Sequence, residues 1–196
     1  MASRKITENI SYLEASESPL SADVGIIREN GALWLFDVGN GADHLPDSSQ
    51  KYHVVLSHFH ADHIGNLDLV PTEALYVSRE TFRHTRRGTV VDQSVSIGRL
   101  RIFPLPSSHA KGCLGLEVDG LYAFVGDALG GRSKNGSYTY NAQLLLEEIG
   151  VLKSLTAPYL LVSHHTGLVR DRLEAIAELE AIYKTRKPGE TEIIVF

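Results

Sequence analysis

A chain of 196 residues with a net charge of −5 and 43% hydrophobic residues has the size and composition of one soluble globular domain. The acidic balance excludes a broad basic surface for nucleic acid, and the first twenty residues contain no apolar run that suits a signal peptide or a membrane span. A single cysteine, Cys113, excludes an internal disulfide. We therefore expect one domain over residues 1–196 that is cytoplasmic and binds a small molecule rather than nucleic acid or a membrane.

The N-terminal third of the chain predicts a meander of short strands. The segments with strand-like composition are residues 10–15, 24–28 and 32–38. Asn30-Gly31 is typical of a two-residue hairpin turn between the last two of them. After a predicted surface loop over residues 40–51, the apolar residues 52–56 predict a buried strand.

Four polar side chains follow that buried strand directly: His58, His60, Asp62 and His63. In an extended segment, residues two apart point to the same side, so His58 and His60 can share one metal ion. Asp62 and His63 are adjacent at the start of a predicted short helix and can project toward a second point. The spacing therefore predicts two neighbouring metal positions, whereas His44 and His53 fall outside it and are interpreted as structural.

Further candidate ligands follow later predicted strands. These strands are residues 74–77, 90–97, 99–105, 113–118, 121–125 and 158–162, with a hairpin about Gly98 and a polar, partly helical turn that begins at Ser78 and carries His84. His109 follows the third of them and Asp127 the fifth. The last strand leads into His164 and His165, and either histidine can serve as the final ligand. We interpret His84 as solvated surface and Cys113 as a small buried thiol.

The C-terminal part combines a glycine-rich loop with two predicted helices. The loop, residues 129–140, offers candidate substrate-binding side chains, which are Arg132, Lys134, Tyr138 and Tyr140; a mobile surface loop is the alternative. Apolar residues at helical spacing predict helices over 142–155 and 168–184, and residues 192–196 predict an edge strand.

The segment from His58 to His63 resembles the signature of the metallo-β-lactamase superfamily. Four further elements resemble those of the family in the same order: Asp37-Val38-Gly39, His109 with Gly112, Gly126-Asp127 and Ser163-His164. Ser108 and Ala110 replace the family's usual glycine and threonine beside His109. The resemblance implies an α+β fold, the four-layer αββα sandwich, with one or two bound metal ions.

The resemblance also implies a ligand set. The first ion would be held by His58, His60 and His109, and the second by Asp62, His63 and His164, with Asp127 between them. The family's small residue before its last ligand favours His164, with His165 as the alternative. Asp37 would support the metal loop through hydrogen bonds.

The implied activity is that of a metallo-hydrolase with two zinc ions, or alternatively one or two iron or manganese ions. A metal-activated hydroxide would cleave an ester, thioester, lactone or amide, and Asp62 would orient the hydroxide and handle its proton. Asp127 stands where the best-known β-lactamases carry cysteine, which argues against lactam cleavage. The alternatives are a phosphodiesterase, a mononuclear iron persulfide dioxygenase that uses His58, His109 and Asp127, and a non-enzymatic metal-binding protein.

Overall fold

A computed structural model describes residues 3–42, 45–134 and 136–196 of the chain; His44 and the side chain of Lys134 lie outside the described residues. Within them, no helix is both long and apolar enough to cross a membrane. The strands of the first half are β1 (Arg4–Lys5), β2 (Ile10–Leu13), β3 (Ser16–Glu17), β4 (Leu20–Ser21), β5 (Val24–Glu29), β6 (Ala32–Phe36), β7 (Tyr52–Val55), β8 (Thr72–Val77) and β9 (Thr89–Val90).

Most of these strands form one sheet, in the order β1-β2-β5-β6-β7-β8-β9, while β3 and β4 form a small separate hairpin. The predicted turn at Asn30-Gly31 is confirmed: both residues have positive φ, and β5 and β6 pair antiparallel across them. β7 runs parallel to β6 and to β8. The carboxyl ends of β6 and β7 therefore meet at one edge of the sheet, which brings Asp37 close to the residues after β7.

A second sheet carries the remaining candidate ligands. Its strands are β10 (Val95–Ile97), β11 (Leu100–Leu105), β12 (Cys113–Val118), β13 (Tyr122–Gly126), β16 (Tyr159–Val162) and β17 (Val169–Asp171), in that order across the sheet. A third sheet joins β14 (Arg132–Lys134), β15 (Ser137–Asn141) and β18 (Glu192–Val195). β13 and β16 are parallel, and β12 is antiparallel to both β11 and β13, so β11, β13 and β16 all end at the same edge.

The helices are α1 (Ala61–Ile64), α2 (Arg79–Thr85), α3 (Ala142–Ser154) and α4 (Arg172–Lys184). Between the two large sheets, Phe36 stacks on Phe124 with ring centroids 5.2 Å apart. α3 and α4 cover the outer face of the second sheet with buried residues such as Leu145 and Ile176. Residues from α1 and the turn after it, among them Leu67, pack on the outer face of the first sheet. These layers form the expected αββα sandwich.

Three predicted elements are wrong in detail. The strand expected over residues 90–97 is divided, because the chain leaves the first sheet after β9 and enters the second at β10. The expected loop over 129–140 contains β14 and β15. The helix expected from residue 168 begins at Arg172, since residues 169–171 pair with β16 and the Asp171 side chain then accepts hydrogen bonds from the N–H groups of Leu173 and Glu174, which caps α4.

Candidate metal centre

The two large sheets place the predicted metal ligands together at their common edge. His58 and His60 follow β7, while Asp62 and His63 lie on α1. From the second sheet, the loop after β11 supplies His109, the residue after β13 is Asp127, and the turn after β16 supplies His164. They form two groups that could each hold a metal ion, and within each group the potential ligand atoms lie within 4.8 Å of one another.

The first group consists of His58, His60 and His109. Nδ1 of His60 lies 2.9 Å from Nε2 of His58 and 3.1 Å from Nε2 of His109. Burial lowers the pKa of all three imidazoles below the usual value of 6.5, and the neighbouring histidines lower it further. Three neutral imidazoles therefore converge on one point. The neutral form is the protonation state that metal binding requires.

The second group consists of Asp62, His63, Asp127 and His164. Oδ2 of Asp62 lies 3.0 Å from Nε2 of His164 and 3.4 Å from Nε2 of His63. Oδ2 of Asp127 lies 3.3 Å from Nε2 of His63 and also 3.4 Å from Nε2 of His109 in the first group. Asp127 thus lies between the two groups.

Charge is balanced within the second group. Burial acts to raise the pKa of Asp62, but the hydrogen bond with His164 and the charge of His63 outweigh it and lower the pKa to about 2. Burial acts to lower the pKa of His63, whereas Asp37 and Asp127 raise it to about 10. In the metal-free protein the two carboxylates therefore hold a proton on His63, and a metal cation would take the place of that proton between them.

Two buried atoms in this pocket suit a bound metal ion. Nε2 of His63 and Oδ1 of Asp127 are both buried without a hydrogen-bond partner among the described residues. A buried polar atom left unpaired costs about 1–3 kcal/mol, so each of these atoms favours an external partner. Imidazole nitrogens and carboxylate oxygens are ligands of zinc and other divalent first-row metals, and both groups therefore fit such ions.

Asp37 supports both groups through hydrogen bonds, as predicted. Its Oδ1 accepts the N–H of Ser57, and its Oδ2 accepts the Ser57 hydroxyl, each at 2.7 Å. Because this hydroxyl donates to Asp37, its oxygen can accept Nδ1–H of His58, 2.9 Å away. That assignment leaves the lone pair on Nε2 of His58 free for a metal ion. Sequence reasoning missed Ser57, which only the pairing of β6 with β7 brings to Asp37.

Gly126 allows Asp127 to reach its position. Its φ is +56°, and a Cβ atom there would lie 2.8 Å from Oγ of Ser57. A side chain is therefore excluded both by backbone conformation and by the close approach of the two sheets.

Asp23 was also missed by the sequence analysis. It is 7% exposed and lies just before β5. Its Oδ2 accepts the N–H of His164 at 2.9 Å, and its own N–H donates to the hydroxyl of Ser163 at 3.0 Å. No local sequence signal links residues 140 positions apart.

A cavity of about 210 Å³ adjoins the first group and is lined by His109, Lys111, Arg132 and Glu192 among others. Arg132 forms an ion pair of 3.3 Å with Glu192, whereas Lys111 forms none within the described part of the chain. A second cavity, of about 280 Å³, adjoins His164 and contains Glu17 and Asp23. Openings on both sides make the centre accessible to a small molecule.

The other candidates of the glycine-rich segment occupy different surroundings. Tyr138 is 51% exposed. Tyr140 is buried, and its hydroxyl donates to the backbone oxygen of Leu129 at 3.3 Å, which makes it a packing residue. Lys134 cannot be placed, because its side chain is outside the described atoms.

The remaining histidines contact the centre less directly or not at all. His84 is exposed and stacks on Phe59, with ring centroids 4.2 Å apart, so it belongs to the rim of the site as well as to the surface. His53 stacks on Trp34 in the first sheet, which agrees with a structural role. His165 is exposed in the turn after β16.

Solved structures with a similar fold include metallo-β-lactamases, a flavodiiron protein and an archaeal metallo-β-lactamase superfamily protein. The Rm3 metallo-β-lactamase is 14% identical, with a TM-score of 0.69 over 95% of this chain and 93% of that one. The flavodiiron protein from Giardia intestinalis is 11% identical, with a TM-score of 0.68 over 94% of this chain; the chain spans 60% of that protein. An archaeal superfamily protein from Sulfolobus tokodaii is 16% identical, with a TM-score of 0.60 over 94% and 90%.

No family model matches the sequence, and no curated protein matches it. At these low identities the structural likeness shows the fold, and the resemblance to the metallo-β-lactamase superfamily is confirmed at that level.

Proposed function

We propose that this chain, whose fold is that of the metallo-β-lactamases, is a metal-dependent hydrolase of a small molecule such as an ester, thioester, lactone or amide. The observation that carries the proposal is the position of Asp127, whose Oδ2 lies 3.3 Å from Nε2 of His63 and 3.4 Å from Nε2 of His109. A carboxylate between two ligand groups suits a pair of ions that share one ligand.

The proposed cofactor is a pair of zinc ions, with iron or manganese as alternatives. The ligands of the first would be His58, His60 and His109, those of the second Asp62, His63 and His164, and Asp127 would contact both. When bound, such ions lower the pKa of a coordinated water toward about 7 and polarise a substrate carbonyl. The complete second group favours this assignment over a mononuclear iron dioxygenase, which would leave that group without a role.

Asp62 is the proposed proton-handling residue. Its side chain is 14% exposed, and its hydrogen bond with His164 outweighs burial and lowers its pKa to about 2. The carboxylate is therefore ionised at neutral pH. The Asp62 carboxylate can accept a hydrogen bond from the attacking water. This contact orients the water, and the carboxylate then receives its proton.

The cavity beside His109 is the proposed substrate anchor. Lys111 and Arg132 line it with one acidic residue, Glu192, which is already paired with Arg132. The Lys111 ammonium has no ion-pair partner among the described residues, so these side chains leave a net positive charge next to the metal centre. We therefore expect the substrate to carry an anionic group, such as a carboxylate or a phosphate, close to the bond that is cleaved.

Metal analysis followed by an activity panel tests the proposal. The purified protein is expected to hold two equivalents of metal and to hydrolyse at least one member of an ester, thioester, lactone and amide panel. Dialysis against a chelator should abolish turnover, and added zinc, iron or manganese should restore it. A phosphodiester in the same panel tests the alternative that the protein is a phosphodiesterase. A single bound iron with oxygen-dependent turnover would identify the dioxygenase.

Asp127→Ala supplies the decisive variant, and Asp68→Asn, at an exposed position in the turn after α1, supplies the matched control. We expect Asp127→Ala to lose both metal and turnover, while Asp68→Asn retains them. Full turnover in metal-free Asp127→Ala protein would refute a metal-dependent hydrolase.

A further inference from the structure

Asp23 joins two distant segments through its carboxylate. Oδ1 accepts the N–H of Ala15 at 3.0 Å, and Oδ2 accepts the N–H of His164 at 2.9 Å. The backbone N–H of Asp23 donates to the hydroxyl of Ser163 at 3.0 Å, which makes the contact with the turn after β16 reciprocal. A carboxylate that is 7% exposed and satisfied by backbone donors from both sides holds those backbones in a fixed relative position.

The hydrogen bond to Asp23 acts on a strained residue. His164 has a φ of +58°, in the left-handed region, which costs an L-residue roughly 1–2 kcal/mol. In this conformation its N–H points to Asp23, while Nε2 of its imidazole lies 3.0 Å from Oδ2 of Asp62. The N–H of His165 instead donates to the carbonyl of Val162 at 3.4 Å, and His165 is in neither ligand group. The contact with Asp23 therefore distinguishes the two histidines.

The residue before Asp23 contacts the same ligand group. The N–H of Ala22 donates to the backbone carbonyl of Asp62 at 3.0 Å. Residues 22 and 23 thus bind the backbones of both Asp62, on α1, and His164, in the turn after β16. The first ligand group receives no hydrogen bond from these two residues within the described part of the chain.

We propose that Asp23 is a positioning residue that makes His164 the last ligand and sets the affinity of the second metal position. The inference rests on the two-ion centre proposed above. This positioning role differs from a general structural role. Loss of general stability would lower the metal affinity of both positions together, whereas loss of the contact with His164 lowers the affinity of the second position only.

Zinc titration of the chelator-treated protein tests this inference. The variants are Asp23→Ala, which removes both acceptors, and Asp23→Asn, which keeps one oxygen for two N–H groups. His164→Ala identifies the binding step that belongs to the second group. Glu17→Ala is the matched control, since Glu17 is an exposed carboxylate that lines the same cavity without contacting the backbone of His164.

Asp23→Ala is expected to weaken the second zinc about 10- to 100-fold, the range typical of residues that orient a metal ligand, while the first changes by less than about twofold. Asp23→Asn should weaken the second by a smaller factor, about 3- to 10-fold, because one hydrogen bond survives. With cobalt in place of zinc, only the absorption bands of the second equivalent should change. Glu17→Ala should bind both ions as the wild type does.

Unchanged affinity of the second zinc in Asp23→Ala, or equal weakening of both ions, would overturn the inference while leaving the two-ion centre intact. A wild-type protein that binds only one zinc would overturn both. If Asp23→Ala does not fold, Asp23→Asn decides by the same criterion.

Discussion

Nδ1 of His63 lies 2.7 Å from Oδ2 of Asp37, and both side chains are fully buried. In this contact Nδ1–H of His63 donates to the carboxylate, so Nε2 is the ring nitrogen left for a metal ion, which would displace the proton there. The same carboxylate accepts two hydrogen bonds from Ser57. One aspartate at the end of β6 therefore orients the residues that follow β7.

Replacing Asp37 with alanine should destabilise the metal-free protein. The change leaves Nδ1 of His63 and the N–H of Ser57 buried without their acceptor, and breaking such a buried pair costs about 3–5 kcal/mol. Urea denaturation measures the loss in the free energy of unfolding. Asp47→Ala, at an exposed position in the loop before β7, should change it by less than about 1 kcal/mol. Equal losses in the two variants would contradict the supporting role of Asp37.

His164 and His165 should differ in metal binding. His164→Ala removes an imidazole 3.0 Å from Oδ2 of Asp62 and should lower the metal content from two equivalents to one. His165→Ala removes an exposed ring and should leave the content unchanged, which makes it the matched control. Elemental analysis after dialysis measures both. Loss of metal only in His165→Ala would assign the last ligand to His165 instead.

Lys111 should contribute to binding rather than to the chemical step. For a substrate that carries a carboxylate, Lys111→Gln should raise KM about tenfold and change kcat by less than about twofold, since the contact is present before and during reaction. For a neutral analogue of the substrate, Lys111→Gln should leave KM unchanged. Lys51→Gln, at an exposed position before β7, is the control. A fall in kcat with constant KM would contradict an anchoring role.

Glu148 makes stability depend on pH in a defined direction. It is fully buried in α3, both its oxygens lack a partner among the described residues, and burial raises its pKa well above the usual value of 4.5. The folded protein therefore keeps the proton that the unfolded chain releases above pH 4.5. Stability falls as the pH rises above 4.5, by about 1.4 kcal/mol per pH unit, until the pH passes the pKa in the folded protein.

Glu148→Met, of similar length and without a charge, should remove this dependence. The variant should be more stable than the wild type at pH 8, with a difference that shrinks toward pH 4.5. Denaturation at several pH values measures it. Glu147→Met, at the exposed neighbouring position, should show no such trend. A constant difference for Glu148→Met would mean that Glu148 does not stay protonated in the folded state.

The local part of the candidate site could be predicted from the sequence. His58, His60, Asp62 and His63 follow one strand within six residues, so their convergence needs only the geometry of an extended segment and one helical turn. His109, Asp127 and His164 were predictable as residues after strands, but their assignment to two groups depended on a family resemblance. The structure brings these residues together in two groups, with Asp127 in the second group and 3.4 Å from Nε2 of His109 in the first.

Long-range contacts could not be predicted. Asp23 precedes a strand like many other loop residues, and its role depends on the packing of the turn after β16 against the segment before β5. The division of residues 90–97 between two sheets has the same origin: both pieces have strand composition, and only the tertiary fold decides which sheet each joins.

The buried position of Cys113 gives the protein an internal reporter. The only thiol of the chain is 2% exposed, lies at the start of β12 directly after the loop that carries His109, and burial raises its pKa, so it is protonated and unreactive at neutral pH. A thiol reagent therefore reaches it only when this edge of the second sheet opens. The rate of labelling then measures the opening at a single position, and a ligand that binds through His109 should slow it in the wild-type protein, with no cysteine introduced by mutation.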